Sequence, residues 1–340
     1  MRLFNRLLLG LLVGIVAVAI ILSFFSWTSL QLQPDSQDIV ILPKSSLKNI
    51  ADQLVKQGVL QEPWRFMLLA RITQKHTRLQ AGSYSLNRNI TPYQLLLSIS
   101  HGKTTQGSIT FIEGRTFAQM RERLDKNDAV KHTIKQLSNA EIMAEIGATE
   151  THPEGLFFPD TYYFDRGTTD LTLLKKCYLA MQDKLEKAWV QQASKGLNGA
   201  SSLPYKNSYE ALIMASIIEK ETGKTSERPQ IAGVFLNRLR FGMRLQTDPA
   251  VIYGLGDHFD GNLRRVDLKT DTPYNTYTRN GLPPTPIAMP GIASIVAALH
   301  PAQTQALYFV GKGDGTHAFS DNLAEHNRAV IKYQIAPNRK

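Results

Sequence analysis

Glu219 is the residue whose type and setting most invite chemistry. The stretch Tyr209–Thr222 carries one polar residue, Ser216, between Ala211 and Ile218, and then ends in Glu219, Lys220 and Glu221. A helix that is apolar on every side is buried within a domain. A carboxyl at its end, where the helix reaches a cleft, loses hydration, which favours the protonated form. That is the condition for a general acid near neutral pH. The plain alternative is the polar end of a core helix, and this segment alone does not decide between them. Glu221 lies two residues on, roughly 200° around a helix of 3.6 residues per turn. The two carboxyls therefore point into different surroundings, and Glu221 reads as a supporting residue.

The sequence after Glu219 is rich in groups that bind sugars. A second helix over Ile231–Leu239 carries Asn237 and Arg238 near its end. Loops follow at Gly242–Pro249 with Gln246, Thr247 and Asp248, at Tyr253–Gly254, at Thr272–Tyr277 with Asn275 and Tyr277, and at Gly281–Pro284. Amides and hydroxyls make directional hydrogen bonds, and aromatic rings stack on pyranose faces. Each loop alone is a turn with polar residues. Together, after a candidate acid, Asn237, Arg238, Gln246, Thr247, Asp248, Tyr253, Asn275 and Tyr277 form a candidate saccharide-binding set.

Other chemistries find little support. His300, His317 and His326 have no metal-ligand spacing, and no metal or cofactor is expected. Cys177 is the single cysteine and has no activating histidine nearby in sequence, so it reads as a small buried apolar residue. Gly311–Gly315 lacks the Gly-Lys-Ser/Thr ending of a phosphate loop and reads as a turn between strands Leu307–Val310 and Thr316–Phe319.

The elements that position these residues begin with an anchor. Leu7–Phe25 is uncharged and almost wholly apolar. As a helix it spans roughly 28 Å, close to the hydrocarbon thickness. Arg2 and Arg6 precede it and no Lys or Arg follows before Lys44, which places the N-terminus in the cytoplasm. A cleavable signal peptide is the rival reading, but the stretch is long for one and Ser26–Leu30 offers no Ala-x-Ala site. The net charge is +10 and favours anionic partners. The topology removes nucleic acid from these, and leaves cell-wall polymer and lipid headgroups.

Residues 1–27 are expected to form the stub and anchor and 28–37 a tether. Residues 38–104 form a small strand-helix unit, with helices capped at Ser45 or Ser46 and at Thr91. Residues 105–335 form a larger mixed α+β domain holding the aromatic Glu154–Tyr162 loop, a long helix over Leu171–Val190 and a polar loop over Gly196–Asn207.

Several motifs, in this order, resemble the YceG-like family. They are Ala215–Thr222, Asn237-Arg238-Leu239, Leu245–Pro249, Tyr274–Tyr277 and Gly281–Pro284, joined by the Glu113-Gly114 turn and the Glu154–Tyr162 loop. The resemblance covers nearly the whole chain. It implies an α+β protein with a single transmembrane helix, a LysM-like subdomain at 38–104 and a YceG-like catalytic domain, and it places the catalytic acid at Glu219. The implied reaction is endolytic lytic transglycosylation of peptidoglycan. One acid protonates the glycosidic oxygen between N-acetylmuramic acid and N-acetylglucosamine, then takes the proton of the muramyl 6-hydroxyl as a 1,6-anhydro end closes. A single glutamate then suffices where ordinary glycosidases use a pair. The implied setting is the inner membrane with a periplasmic body, nascent glycan strands as substrate and peptidoglycan synthases as possible partners. A hydrolytic muramidase and a non-enzymatic wall-binding division scaffold are the rivals.

Overall fold

A computed structural model of the chain describes residues 13–14, 16, 20–30, 32, 38–42, 44–87, 89–102, 106–196 and 203–336. Most of the expected anchor lies outside these residues. Residues 20–27 are helical, and among the described residues no helix is long and apolar enough to cross a membrane. The middle of the polar loop expected over Gly196–Asn207 also lies outside them. The chain is mixed α+β and divides into two compact units.

The first unit comprises the chain up to Ser108 with Ala129–Lys131 and Tyr163–Thr168. Strand β1 (Asp38–Ile41) is followed by helices α1 (Leu47–Lys56) and α2 (Pro63–Ile72), strand β2 (Gly82–Ser85) and helix α3 (Pro92–His101). β1 and β2 pair antiparallel, with Ile39 opposite Tyr84. Ile39 and Ile41 are buried while Val40 between them is exposed, the alternation a one-sided sheet requires. The local rules act as expected. Ser46 accepts a hydrogen bond from Asn49 N–H at the start of α1, and a Thr91–Gln94 capping box opens α3. Ile50, Leu54, Phe66, Leu95, Leu96 and Ile99 join Ile39, Ile41 and Tyr84 in one core.

Strand β3 (Gln106–Thr110) pairs with a later strand, β4 (Thr161–Asp165). Between them lie α4 (Phe117–Asp125) and α5 (Asn139–Ile146), opened by capping boxes at Thr116 and Ser138. The second unit continues with α6 (Asp170–Gly196), α7 (Ser208–Glu221), α8 (Arg228–Arg240), α9 (Asp248–Leu255), α10 (Arg265–Lys269) and α11 (Ile292–Leu299). A hairpin of β5 (Tyr308–Gly311) and β6 (His317–Ser320) and helix α12 (Leu323–Val330) follow.

α7 is the axis of this unit. Every residue from Ala211 to Ile218 is buried, and α6, α8, α9 and α11 all pack on the helix. This is the surrounded helix that an all-round apolar sequence demands. One expectation changes. Asp248–Leu255, read as part of a loop, is a helix: Asp248 and Pro249 form its first turn, a position where proline's missing N–H costs nothing. Ile292–Leu299 is also a helix; its start is marked only by Pro290-Gly291, while Ile295, Ala297, Ala298 and Leu299 are buried.

Candidate active site

Three chain segments meet at the end of α7. The first is Glu219 itself, whose side chain is only 5% exposed. The second is the turn Glu113-Gly114-Arg115, and the third is Met289-Pro290-Gly291 before α11. The turn and the third segment are joined by two backbone hydrogen bonds of 2.8 Å, Gly114 N–H to Met289 C=O and Met289 N–H to Arg115 C=O. Gly114 has φ +73°, a conformation glycine adopts without strain. A Cβ on it would lie 3.6 Å from Cγ of Glu219, so this turn covers the acid directly. Lys220 extends over the turn and donates from Nζ to Gly114 C=O at 3.3 Å.

Both oxygens of Glu219 are held. Oε1 accepts from Arg228 Nη2 at 2.8 Å, and Oε2 accepts from Gly291 N–H at 3.0 Å. Arg228 is the first residue of α8 and is also buried, 5% exposed. Its Nε has no partner among the described residues. The start of α8 is tied down next door, where Glu227 accepts from His317 N–H at 3.1 Å and its other oxygen lies 2.7 Å from His317 Nδ1.

The third segment is placed by Ser216, the one polar side chain in the apolar run of α7. Its Oγ donates to Ile213 C=O at 2.7 Å and accepts from Ile287 N–H at 3.0 Å. The sequence offered Ser216 only as an exception to a pattern. Its spacing from Glu219, three residues along one helix face, was the available clue.

Glu113 and Arg228 enter this site without having been singled out for it. A Cβ on Gly291 would lie 1.9 Å from Oε1 of Glu113, so the Glu113 carboxyl rests on the Gly291 backbone. Its pKa is raised, first by burial and then by the Glu219 charge, against the opposing pull of Arg228. Beside the turn, Arg115, Arg123, Gln119, Phe111, Met120 and Met289 line a pocket of about 240 Å³.

The residues expected to bind sugar lie elsewhere. Arg238, Gln246, Asp248 and Tyr277 line a cavity of about 460 Å³ with Glu221, not with Glu219. Glu221 points into these surroundings as its helical offset requires. Burial pushes it up to about 7, against a hydrogen bond from Thr247 Oγ1 at 2.5 Å. Tyr277 donates to Asp248 at 2.5 Å. Arg238 donates to the carbonyls of Leu307, Arg244 and Leu245 and to the Gln246 side chain, and its guanidinium lies over the Tyr308 ring at 5.1 Å. Gln246 adopts φ +53°, a strained backbone for a side chain of its size.

The remaining four are committed internally. Asn237 Nδ2 donates to Thr304 and Ala306 C=O. Thr247 is 1% exposed and also bonds Thr276. Asn275 Nδ2 donates to the carbonyls of Asp267, Leu268 and Thr270 and so caps the end of α10. Tyr253 donates to the buried Glu154 at 3.0 Å and packs edge-on against Tyr274. Cys177 is fully buried, and burial pushes its thiol up to about 12. Among the described residues no group of three His, Cys, Asp or Glu could hold a metal.

A family model described as the YceG-like family matches residues 39–332. An endolytic murein transglycosylase of Bacillus subtilis (strain 168) is 34% identical over 316 residues, covering 87% of this chain and 84% of its own. One from Streptococcus pneumoniae (strain D39) is 27% identical and covers 85% of this chain, which spans 57% of that longer protein. The crystal structure of a yceG-like protein from Listeria monocytogenes matches with a TM-score of 0.54 and 30% identity, over 86% of this chain and 97% of that one.

Proposed function

The chain belongs to the YceG-like family, and from that premise we infer that it is an endolytic murein transglycosylase, a lytic enzyme acting on peptidoglycan. We further propose that Glu219 is its general acid and base. The observation that carries this is the convergence of three separated segments on one carboxyl at the end of a buried helix. In the proposed reaction Glu219 gives its proton to the glycosidic oxygen as the bond to the anomeric carbon breaks. Arg228 and Gly291 N–H then hold the carboxylate that remains. The same carboxylate takes the proton of the muramyl 6-hydroxyl as that oxygen bonds the anomeric carbon, which closes the 1,6-anhydro ring and restores the acid.

Arg238, Gln246, Asp248 and Tyr277 are read as sugar-binding groups, supported by their shared cavity. Asn237, Thr247, Tyr253 and Asn275 would shape those loops from behind. The strand-helix unit at 38–104 is read as the LysM-like glycan-binding part, supported by its strand–helix–helix–strand order and its own core. The uncharged stretch Leu7–Phe25 is read as an inner-membrane anchor with the body in the periplasm, which keeps the site close to nascent glycan and its synthases.

The test is digestion of purified glycan strands with mass analysis of the new ends. Wild-type protein should give 1,6-anhydromuramic ends. Glu219→Gln should fold and lose activity by about 10² or more, the scale of general acid catalysis. Retained cleavage in Glu219→Gln with loss in Glu221→Gln would move the acid to the other face of α7. Hydrolytic ends alone would make the protein a muramidase.

A further inference from the structure

A second carboxyl, that of Glu113, shares the Gly291 backbone with Glu219. Glu113 comes from 106 positions earlier in the chain, and Gly291 is the backbone that both side chains reach. The Gly291 N–H bonds Oε2 of Glu219 at 3.0 Å, and its Cα is so close to Glu113 that a Cβ would fall 1.9 Å from Oε1 and 2.1 Å from Cδ. Gly291 has φ −77°, which any residue can adopt. Glycine here leaves room for the Glu113 carboxyl rather than supplying backbone freedom, and a Cβ would push that carboxyl aside.

The charges around the pair can be named. Glu219 on α7 and Arg228 on α8 both act on the Glu113 charge, the first raising its pKa and the second lowering it. Lys220 reaches the turn but bonds Gly114 C=O, and Arg115 follows Glu113 along the turn towards the neighbouring pocket. Arg228 and Glu219 form a buried ion pair at 2.8 Å. Taken alone, that pair is neutral without any proton, and protonating the acid would leave an uncompensated buried guanidinium, which is costly. With Glu113 included, the three groups carry one net negative charge when both carboxyls are ionised, and a single proton makes the trio neutral.

We propose that Glu113 is a positioning residue for the general acid: seated on the Gly291 backbone that also bonds Glu219, it offsets the Arg228 charge so that Glu219 holds a proton ready for the glycosidic oxygen. The proposal rests on the reading of Glu219 as the acid. Glu113 makes and breaks no bond. The proton still leaves Glu219 for the glycosidic oxygen and returns from the 6-hydroxyl, so the product is unchanged. What Glu113 controls is the pH range over which the acid is charged with its proton. The upward displacement of its own pKa, first by burial and then by the Glu219 charge, is the Glu113 side of the same repulsion between the two carboxyls.

The experiment compares kcat/KM from pH 5 to 9 on purified glycan strands for the full-length wild type, Glu113→Gln, Gly291→Ala and the double variant. Removing the Glu113 charge should move the alkaline limb of Glu113→Gln towards acid by about one pH unit, so that activity falls about tenfold at pH 8 and recovers on acidification. Gly291→Ala should displace the carboxyl and shift the limb in the same direction while both acids stay present. The double variant should shift no further than Glu113→Gln, because the two changes act through one contact. Anhydro ends should persist throughout. A Glu113→Gln profile that overlays the wild type, or one that is uniformly lower with its limb unmoved, overturns the proposal. If Glu219→Gln itself remains active, the assignment of the acid fails; if it is inactive and the Glu113→Gln limb is unmoved, only the present inference fails.

Discussion

Ile287 N–H donates to Ser216 Oγ at 3.0 Å, a single hydrogen bond between the buried middle of α7 and the chain that leads to Gly291. Ser216 is wholly buried and lies about one helical turn before Glu219. The bond therefore sets how far Met289-Pro290-Gly291 sits from the carboxyl that Gly291 must touch. An otherwise apolar helix keeps one hydroxyl where the partner segment needs an anchor.

Ser216→Ala should test that anchor. It leaves the Ile287 N–H buried without a partner, at a cost of about 1–3 kcal/mol. Because Gly291 follows four residues later, activity should fall several-fold beyond the effect of lost stability, with the anhydro product retained. Urea denaturation and kinetics on glycan strands measure the two separately. A stability loss with unchanged kcat/KM would show that the 287–291 segment is held well enough by Arg115 and Gly114.

Arg228→Met removes one partner of a buried ion pair while keeping much of the volume. At a pH on the alkaline side, where Glu219 is ionised, its carboxylate is then left buried with one hydrogen bond, from Gly291, and the loss should be about 3–5 kcal/mol. Adding Glu219→Gln to Arg228→Met should recover part of it, since the uncompensated charge is gone. Denaturation midpoints of the two single variants and the double variant give the answer. Strictly additive effects would mean that the two side chains do not interact.

How much of this was legible in sequence follows from the range of the forces involved. α7 could be read because eight consecutive buried residues leave a local pattern, and the caps at Ser46 and Thr91 because they act within four residues. The opposite facing of Glu219 and Glu221 followed from helix geometry alone. Glu113 could not be placed beside Glu219, because nothing in a turn of Glu-Gly-Arg states which helix end it will cover. The sugar-type loops were visible by composition, but composition does not distinguish a side chain that meets a ligand from one that holds the loop. Asn275 shows the difference, since its amide is spent on three carbonyls of its own chain.

Asn275→Asp should therefore behave as a folding variant. The carboxylate has the shape of the amide but donates nothing, and it would face three carbonyl oxygens in a site that is 0% exposed. The cost should exceed that of Asn275→Ala, which leaves the carbonyls unpaired but adds no charge; the latter should be about 1–3 kcal/mol. Thermal unfolding of both variants ranks them. If Asn275→Asp is as stable as wild type and only KM rises, the side chain serves substrate and not α10.

Two buried carboxyls should make this protein lose stability as pH rises from about 4.5 towards neutrality. Glu154, 4% exposed, is pushed up to about 7 by burial, against hydrogen bonds from Tyr253 and Phe117. Glu221 is pushed up to about 7, again mainly by burial. In the unfolded chain both titrate near 4.5. Below that pH the carboxyls are protonated in either state, and the folded protein keeps its full stability. Between about 4.5 and 7 the unfolded chain releases protons that the folded one retains, so each unit of pH favours unfolding. Across that window the loss should be of order 3 kcal/mol for each group, at about 1.4 kcal/mol per pKa unit. The exposed carboxylates with lowered pKa, such as Asp271 at about 2, act in the opposite sense but lose their contribution only below about pH 4. Urea midpoints should fall from pH 5 to 7.5 for the wild type and fall less for Glu154→Gln and for Glu221→Gln. Gln preserves each acceptor oxygen while removing the titration. Midpoints that stay level or rise over this range would mean that neither carboxyl is held protonated in the folded protein.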